Sequence, residues 1–245
     1  MYIKYLNEIS KKDVTEVGGK GASLGELTQA GFFVPAGFVI ITDAQGNLNE
    51  EEILKAFDLL NVEKVSVRSS AVAEDSSSAS GAGQLETYLN VSRENLIENI
   101  KKCWDSIKSE RATSYAEEKD LSEDQLRVAV VVQKMVDAKA AGVVFTANPV
   151  TNNTNEVMVE SVLGLGEKLV QGSVTPDNFI VNKENEGIKS KDLQGEQTIP
   201  DEIIKELVNL GKRIEKHWGI PQDIEWAIDS ENKIWILQSR PITTL

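Results

Sequence analysis

The C-terminal segment of the chain carries polar side chains at positions where an ordinary surface hairpin needs none. Residues 223–242 read DIEWAIDSENKIWILQSRPI, and the alternation of apolar and polar residues predicts a β-hairpin. If residues 231–232 form a two-residue turn, cross-strand counting fixes which side chains lie opposite each other. The count brings four polar groups to one face as two opposed pairs: Glu225 with Gln238, and Asp223 with Arg240. A solvent-facing hairpin is the alternative interpretation.

The opposed pairs are suited to binding a metal ion and a phosphate group. A carboxylate and an amide oxygen are ligands of the kind that Mg²⁺ takes when phosphates also hold it, which points to Glu225 and Gln238. Arg240 beside them would neutralise a phosphoryl group during its transfer. The other face should bury against the body of the domain, and it would consist of Ile224, Trp226 and Ile228 with Trp235, Leu237 and Ser239.

Two further segments, rich in glycine or serine, could cradle phosphate. In GGKG, residues 18–21, the glycines allow close backbone approach, the following helix offers free N–H groups and Lys20 adds a positive charge. The segment SSAVAEDSSSASGAGQ, residues 69–84, could form an anion nest, with a hydroxyl from Thr87 and a bidentate contact from Arg68 at its stem. The alternatives are a glycine turn with a surface lysine and a flexible linker, because neither the P-loop spacing nor G-x-G-x-x-G after a strand is present.

The elements predicted around these segments mix helices and strands. Apolar runs such as LRVAVVVQKMV and AAGVVFTANP have the length of strands, whereas PDEIIKELVNLGKRIEKHWG begins with proline and ends with glycine, as a helix does. Because several strands return like hairpins, this order favours α+β lobes over a doubly wound parallel sheet. The single histidine, His217, falls in the last turn of that helix, where a capping or packing role is favoured over a nucleophile.

Composition indicates a folded protein with an acidic surface. The chain has 245 residues, 40% of them apolar, and a formal charge of -13. That charge argues against binding to nucleic acid or to an anionic membrane, so a phosphate site needs its own local positive charge. Cys103 is the single cysteine, which excludes a disulfide framework. We expect a cytoplasmic protein, because the sequence has neither a secretory leader pattern nor a run of 18 apolar residues.

Several separate motifs together resemble one enzyme family over nearly the whole chain. In order they are VGGKGASLGEL, VPAGFVI, VRSSAVAEDSSSASGAGQLETYLNV, GVVFTANPVT, GLGEKLVQGSVTPDNF and PQDIEWAI with WILQSRPITTL. They resemble the N-terminal ATP-binding domain shared by pyruvate phosphate dikinase, phosphoenolpyruvate synthase and rifampicin phosphotransferase. The resemblance implies an α+β, ATP-grasp-like fold whose two lobes, approximately residues 1–132 and 133–245, sandwich the nucleotide. The stretch between VPAGFVI and VSVRSS is shorter here than in those relatives.

The resemblance also implies roles for individual residues. It assigns phosphate contacts to Lys20, Arg68 and Arg240, a phosphate-covering loop to Gly83, Thr87 and Tyr88, and an adenine-side hinge to Gln133 and Met135. It places Mg²⁺ at Glu225 and Gln238, with Asp223 beside them at the ATP site. In this family, ATP passes its β-phosphoryl group to a histidine on a separate swivelling domain and leaves AMP. No segment of this chain resembles that histidine domain.

Two functions therefore remain open from the sequence. The first is an Mg-ATP-dependent phosphotransferase domain that phosphorylates a histidine on a separate swivel domain, carried either on another chain or on a deleted remainder of this one. The second is a non-catalytic nucleotide-binding or regulatory module that lacks its partner domains. Formation of phosphohistidine would separate the two.

Overall fold

The computed structural model describes residues 2–73, 86–106, 126–170, 172–243 and 245. The predicted loop residue Gly83 lies outside this part of the chain, as does most of the segment 69–84. The chain divides into two compact units, residues 1–135 and 136–245, which we call the N-terminal unit and the C-terminal unit.

The N-terminal unit is built on a five-stranded antiparallel sheet. Its strands are β1 (Ile3–Tyr5), β2 (Gly37–Ile40), β3 (Lys64–Ala71), β4 (Thr87–Ser92) and β5 (Val128–Lys134). Their order across the sheet is β1-β2-β5-β3-β4. Its described α-helices are α1 (Val14–Gln29), α2 (Glu50–Leu60) and α3 (Leu96–Asp105).

Helices cover both faces of this sheet, and each face has its own hydrophobic cluster. Val17 and Leu24 of α1 pack in one cluster with Val131 of β5. The other cluster contains apolar residues of α2 and α3 together with Val65 and Val67 of β3. Because neighbouring residues of a strand point to opposite faces, β3 presents Ser66, Arg68 and Ser70 to the side of α1.

The C-terminal unit is built on a six-stranded antiparallel sheet. Its strands are β6 (Ala138–Phe145), β7 (Glu156–Leu163), β8 (Asp177–Asn182), β9 (Ile188–Asp192), β10 (Gln222–Asp229) and β11 (Ile234–Pro241). Their order is β11-β10-β6-β7-β8-β9. Its described α-helices are the short α4 (Glu167–Val170) and α5 (Asp201–Trp218).

Helix α5 covers one face of this sheet and follows the boundaries that its sequence predicts. It begins after Pro200 and ends before Gly219, which adopts φ 78 as a left-handed cap. At Gly211 the helix backbone comes so close to β6 that an added Cβ would lie 3.2 Å from Val144. The same Cβ would lie 3.9 Å from Ile224 of β10. This contact identifies the face of Ile224 as the one that packs against α5 and leaves Asp223 and Glu225 on the face away from α5.

Candidate functional site

The predicted pairing of polar residues in the terminal hairpin is confirmed. Across β10 and β11, Asp223 lies opposite Arg240 and Glu225 lies opposite Gln238. Residues directly opposite each other in an antiparallel pair share a face, so all four side chains lie on one face of the sheet.

The turn that leads to this pairing differs from the predicted two-residue turn. The Asp229 N–H donates to the Lys233 carbonyl at 3.2 Å, which leaves residues 230–232 as a three-residue loop with Asn232 at φ 66. The Asp229 side chain accepts from the backbone N–H groups of Glu231 and Lys233, at 3.0 and 2.9 Å. Aspartate and asparagine favour such turns because of these local hydrogen bonds and their tolerance of left-handed backbone.

A β-bulge at Leu237 restores the register that the longer turn had shifted. Trp226 lies opposite Ile236 while Glu225 lies opposite Gln238, so Leu237 is the extra residue of β11. The expectation that Trp235 and Leu237 occupy the buried face is therefore wrong. Between the turn and the bulge the buried residues of β11 are Ile234 and Ile236, and Trp235 and Leu237 are only half-buried.

Asp223 and Arg240 form a sheltered ion pair. Arg240 donates from Nε and Nη2 to Oδ2 of Asp223, at 2.9 and 2.7 Å. Burial raises the pKa of Asp223 above its ordinary value, and the nearby charge of Glu225 adds to the rise, whereas Arg240 opposes it. The positive charge of Arg240 thus compensates the negative charge of the buried Asp223 carboxylate, and the carboxylate holds the guanidinium in one orientation.

The same face carries one carboxylate that sequence reasoning missed. Val143 of β6 lies opposite Glu225 of β10 on one side and opposite Glu160 of β7 on the other. These residues therefore continue the row across the sheet that begins at Gln238. Burial, followed by the charge of Asp223, raises the pKa of Glu160. A glutamate within the apolar strand EVMVESV was the available signal, because a charge in such a run rarely serves packing alone.

Glu225 and Gln238 fit the ligand chemistry of Mg²⁺. Gln238 is buried and offers an amide oxygen, and Glu225 opposite it offers a carboxylate. Within the described residues no group of three or more His, Cys, Asp and Glu side chains is arranged to hold a metal ion. The pair of Glu225 and Gln238 suits Mg²⁺, which is commonly bound by one or two protein oxygens together with substrate phosphates and water.

In the N-terminal unit, the glycine-rich segment lies at a break within α1 and leads into the second part of that helix. The helix contains a break at Gly18, with φ 70 and ψ 172, and then continues through Lys20. An added Cβ at Gly18 would lie 2.1 Å from the carbonyl oxygen of Ser70, so only glycine fits. Lys20 is 5% exposed and donates from Nζ to the carbonyl oxygen of Ser69 at 2.8 Å.

Three further predicted residues lie on the α1 side of the N-terminal sheet. Arg68 of β3 lies opposite Thr87 of β4 and opposite Val131 of β5, which packs with α1. Gln133, two residues after Val131, therefore faces the same side. It is buried and donates from Nε2 to the Pro35 carbonyl at 3.2 Å. Lys20, Arg68, Thr87 and Gln133 thus share one side of this unit.

The remaining predicted residues are placed differently. Tyr88 lies opposite Val67, on the other side of the sheet, where it packs against the cluster that includes α3. The amine of Lys102 lies 5.9 Å from the centre of its ring. This environment explains the position of Tyr88 by packing, and its role in a phosphate-covering loop stays a prediction. Met135 follows β5 and is half-buried, and His217 is exposed in the last turn of α5.

Comparison with protein families gives a match over most of the chain. The family described as "Pyruvate phosphate dikinase, AMP/ATP-binding domain" matches residues 45–199 and 189–245. A probable phosphoenolpyruvate synthase of Methanocaldococcus jannaschii is 37% identical over 319 aligned positions, which cover 100% of this chain and 27% of that protein. The phosphoenolpyruvate synthase of Pyrococcus furiosus is 34% identical and covers 100% and 44%. The rifampicin phosphotransferase of Bacillus cereus is 35% identical and covers 100% and 36%.

This chain accordingly spans less than half the length of each of these three relatives. Among solved structures, the ADP complex of N5-carboxyaminoimidazole ribonucleotide synthetase is similar in fold, with a TM-score of 0.50 at 11% identity, covering 93% of this chain and 46% of that one. The fold is α+β and ATP-grasp-like, as the sequence predicts. In the part of the chain that the structure describes, no helix combines the length and apolar character that crossing a membrane requires.

Proposed function

This chain belongs to the pyruvate phosphate dikinase AMP/ATP-binding domain family, and from that membership we propose that it binds Mg-ATP and passes the β-phosphoryl group to a histidine on a swivel domain supplied in trans. The bond between the α- and β-phosphates breaks and AMP leaves, while water takes up the γ-phosphate, which is released as orthophosphate. The observation that carries the proposal is that two cross-strand pairs of polar residues lie on one face of the C-terminal sheet. There Glu225 and Gln238 lie opposite each other beside the Asp223–Arg240 ion pair and would supply oxygen ligands.

Each of these pairs has a distinct part in the proposed reaction. Glu225 and Gln238 would hold Mg²⁺, which neutralises phosphate charge when it is bound. Arg240, already oriented by Asp223, would stabilise the charge that develops on the transferred phosphoryl group. Because Asp223 fixes the guanidinium before the nucleotide arrives, little reorganisation is needed during transfer.

The N-terminal unit has its own set of polar groups suited to phosphate. Lys20 and Arg68 would bind phosphate oxygens and Thr87 would add a hydroxyl, since all three share the α1 side of their sheet. We propose that Gln133, and Met135 after it, lie on the adenine side of the nucleotide. Cations near phosphate are needed in this chain because its formal charge is -13.

Isothermal titration with ATP tests the binding step. We expect Mg-ATP to bind the wild-type chain, and we expect Glu225→Gln and Arg240→Ala each to weaken binding by about tenfold or more, the range for lost hydrogen bonds to charged groups. Glu231→Gln is the matched control, because it removes the same charge from the exposed turn of the same hairpin. The proposal fails if no nucleotide binds, or if the Glu225 and Arg240 variants bind as the control does.

The transfer step requires a separate experiment. The chain is mixed with a purified histidine swivel domain from one of the longer relatives and with ATP labelled at the β-phosphate. Labelled phosphohistidine together with AMP supports transfer. Binding of ATP without either product supports the alternative, a nucleotide-binding regulatory module, which the partial coverage of the relatives keeps open.

A further inference from the structure

The second serine of VRSS joins the two sides of the break in helix α1. Ser70 is completely buried, and its hydroxyl donates to the Val17 carbonyl at 2.8 Å. The same oxygen accepts from the Gly21 N–H at 3.0 Å. One side chain thus links the residue that precedes Gly18 to the residue that follows Lys20.

We propose that Ser70 is a positioning residue, which fixes the Gly18–Gly21 segment and through it the ammonium group of Lys20. The inference rests on the proposed function in one respect, because it takes Lys20 as a phosphate ligand. Neither the family match nor the sequence motifs assign a role to this hydroxyl.

The break in α1 leaves two backbone groups that need hydrogen-bond partners. Gly18 adopts φ 70, which turns the backbone out of the helical path and interrupts the regular hydrogen bonds of α1. The Val17 carbonyl and the Gly21 N–H are therefore groups that need partners from outside the helix, and Ser70 supplies both. Without the hydroxyl these two groups would be left without that hydrogen bond in a buried region.

Lys20 is held at its other end by the residue next to Ser70. Its Nζ donates to the Ser69 carbonyl, so Ser69 fixes the ammonium group while Ser70 fixes the backbone from which that side chain extends. Both serines have no exposed surface. Two consecutive residues of β3 thus determine the position of Lys20, and a lysine held in this way loses less conformational entropy on binding phosphate.

A double-mutant cycle tests whether Ser70 acts through Lys20. We expect Ser70→Ala to weaken Mg-ATP binding about tenfold in the wild-type background but less than about twofold in a Lys20→Met background, because residues that act together are not additive. Ser70→Thr, which keeps the hydroxyl, should restore most of the binding. Equal losses from Ser70→Ala in both backgrounds would overturn the proposal.

Thr42→Val is the matched control. Thr42 is also buried and also donates its hydroxyl to a carbonyl of α1, that of Thr15 at 3.2 Å, but it contacts the helix before the break. We expect this variant to be less stable while it binds Mg-ATP like the wild type. If Ser70→Ala and Thr42→Val weaken binding equally, the effect is general destabilisation and the proposal is wrong.

Hydrogen exchange without nucleotide separates this inference from the proposed function. Ser70→Ala should increase deuterium uptake in a peptide that covers residues 17–22, whereas Thr42→Val should leave that peptide protected. If the wild-type chain does not bind ATP, the proposed function fails, but selective loss of protection at residues 17–22 still supports positioning by Ser70. Unchanged uptake in Ser70→Ala contradicts it, whatever the binding result.

Discussion

Arg240 reaches across the β10–β11 pair and directs both Nε and Nη2 to a single oxygen, Oδ2, of Asp223. The side chains of Arg240 and Asp223 are 19% and 12% exposed, respectively, so both partners are largely shielded from water. Partly buried charges interact more strongly than exposed ones because less solvent screens them. This relationship connects the stability of the hairpin to the orientation of the arginine proposed to contact phosphate.

Replacement of Arg240 by methionine should lower stability in a pH-dependent manner. Arg240 lowers the pKa of Asp223 against the larger effect of burial, so its loss raises that pKa further and leaves an uncompensated carboxylate at neutral pH. We expect the free energy of unfolding to fall by about 1–3 kcal/mol at pH 7. The loss should shrink as the pH falls and Asp223 becomes protonated. Urea unfolding at a series of pH values measures this difference.

Arg93 provides the matched control for that prediction. It also donates from Nε and a terminal nitrogen to one aspartate, Asp58, at 2.7 and 3.0 Å, but both side chains are about half exposed. Exposed ion pairs contribute little to stability. Arg93→Met should therefore leave the unfolding midpoint nearly unchanged. Equal losses of stability in Arg93→Met and Arg240→Met would show that burial does not determine the strength of the Arg240 ion pair.

Gly18 and Gly31, which have left-handed backbone angles at the break in helix α1 and after its end, should differ in how much stability they lose when replaced by alanine. Gly18 and Gly31 have similar dihedral angles, φ +70 and φ +80, but an added Cβ at Gly31 meets no atom within 4 Å. Gly31→Ala should cost only the backbone strain, about 1–2 kcal/mol. Gly18→Ala should cost clearly more, because its Cβ would overlap the backbone of Ser70. Urea unfolding measures both, and equal losses would contradict the close approach of α1 to β3.

The hairpin illustrates how a sequence can predict residue pairs correctly from a turn that is wrong. Counting from a two-residue turn gave the pairs Glu225–Gln238 and Asp223–Arg240, and both pairs occur. The real turn has one residue more than predicted, which shifts the pairing of the two strands by one position. The bulge at Leu237 adds one residue to β11 and shifts the pairing back. Neither feature was predicted, because bulges depend on packing against the rest of the sheet and not on local residue preference. The face that carries Trp235 was consequently predicted wrongly.

Other parts of the molecule show the same division between local and tertiary information. Helix α5 followed from its proline start, glycine end and apolar periodicity, which are local signals. The break at Gly18 was predicted as a loop before a helix, because its hydrogen bonds come from Ser70, which is distant in sequence. Strand β9 was not predicted, since its exposed residues IKSKD have no apolar alternation. Glu160 joins the site only through the pairing of β7 with β6.

Replacement of Glu160 by glutamine should stabilise the chain at neutral pH in the absence of Mg²⁺ and nucleotide. Burial, together with the charge of Asp223, raises the pKa of Glu160 above its ordinary value of 4.5. A carboxyl with a raised pKa binds more protons in the folded state than in the unfolded state. Its contribution to stability therefore falls as the pH rises through the folded-state pKa. Glutamine removes that loss, so the gain of Glu160→Gln should disappear towards pH 4.

Urea unfolding of the Glu160→Gln variant and the wild type at pH 4, 5, 6 and 7 measures this difference. Glu231→Gln in the exposed turn serves as the control for removing one negative charge from the acidic chain. A gain that is the same at all pH values, or that increases on acidification, would contradict the proposed origin in burial and in the charge of Asp223.

Cys103 should be unreactive in the folded chain although it is the only thiol. Burial raises its pKa to about 12, and its Sγ lies 3.8 Å from the Val67 carbonyl oxygen that accepts its hydrogen. Only the thiolate reacts with iodoacetamide, so alkylation at pH 8 should be suppressed both by burial and by the small thiolate fraction. Mass spectrometry should show alkylation on the unfolding timescale in dilute urea and rapid alkylation in concentrated urea. Fast alkylation without denaturant would mean that α3 separates readily from β3, because Cys103 is buried between them.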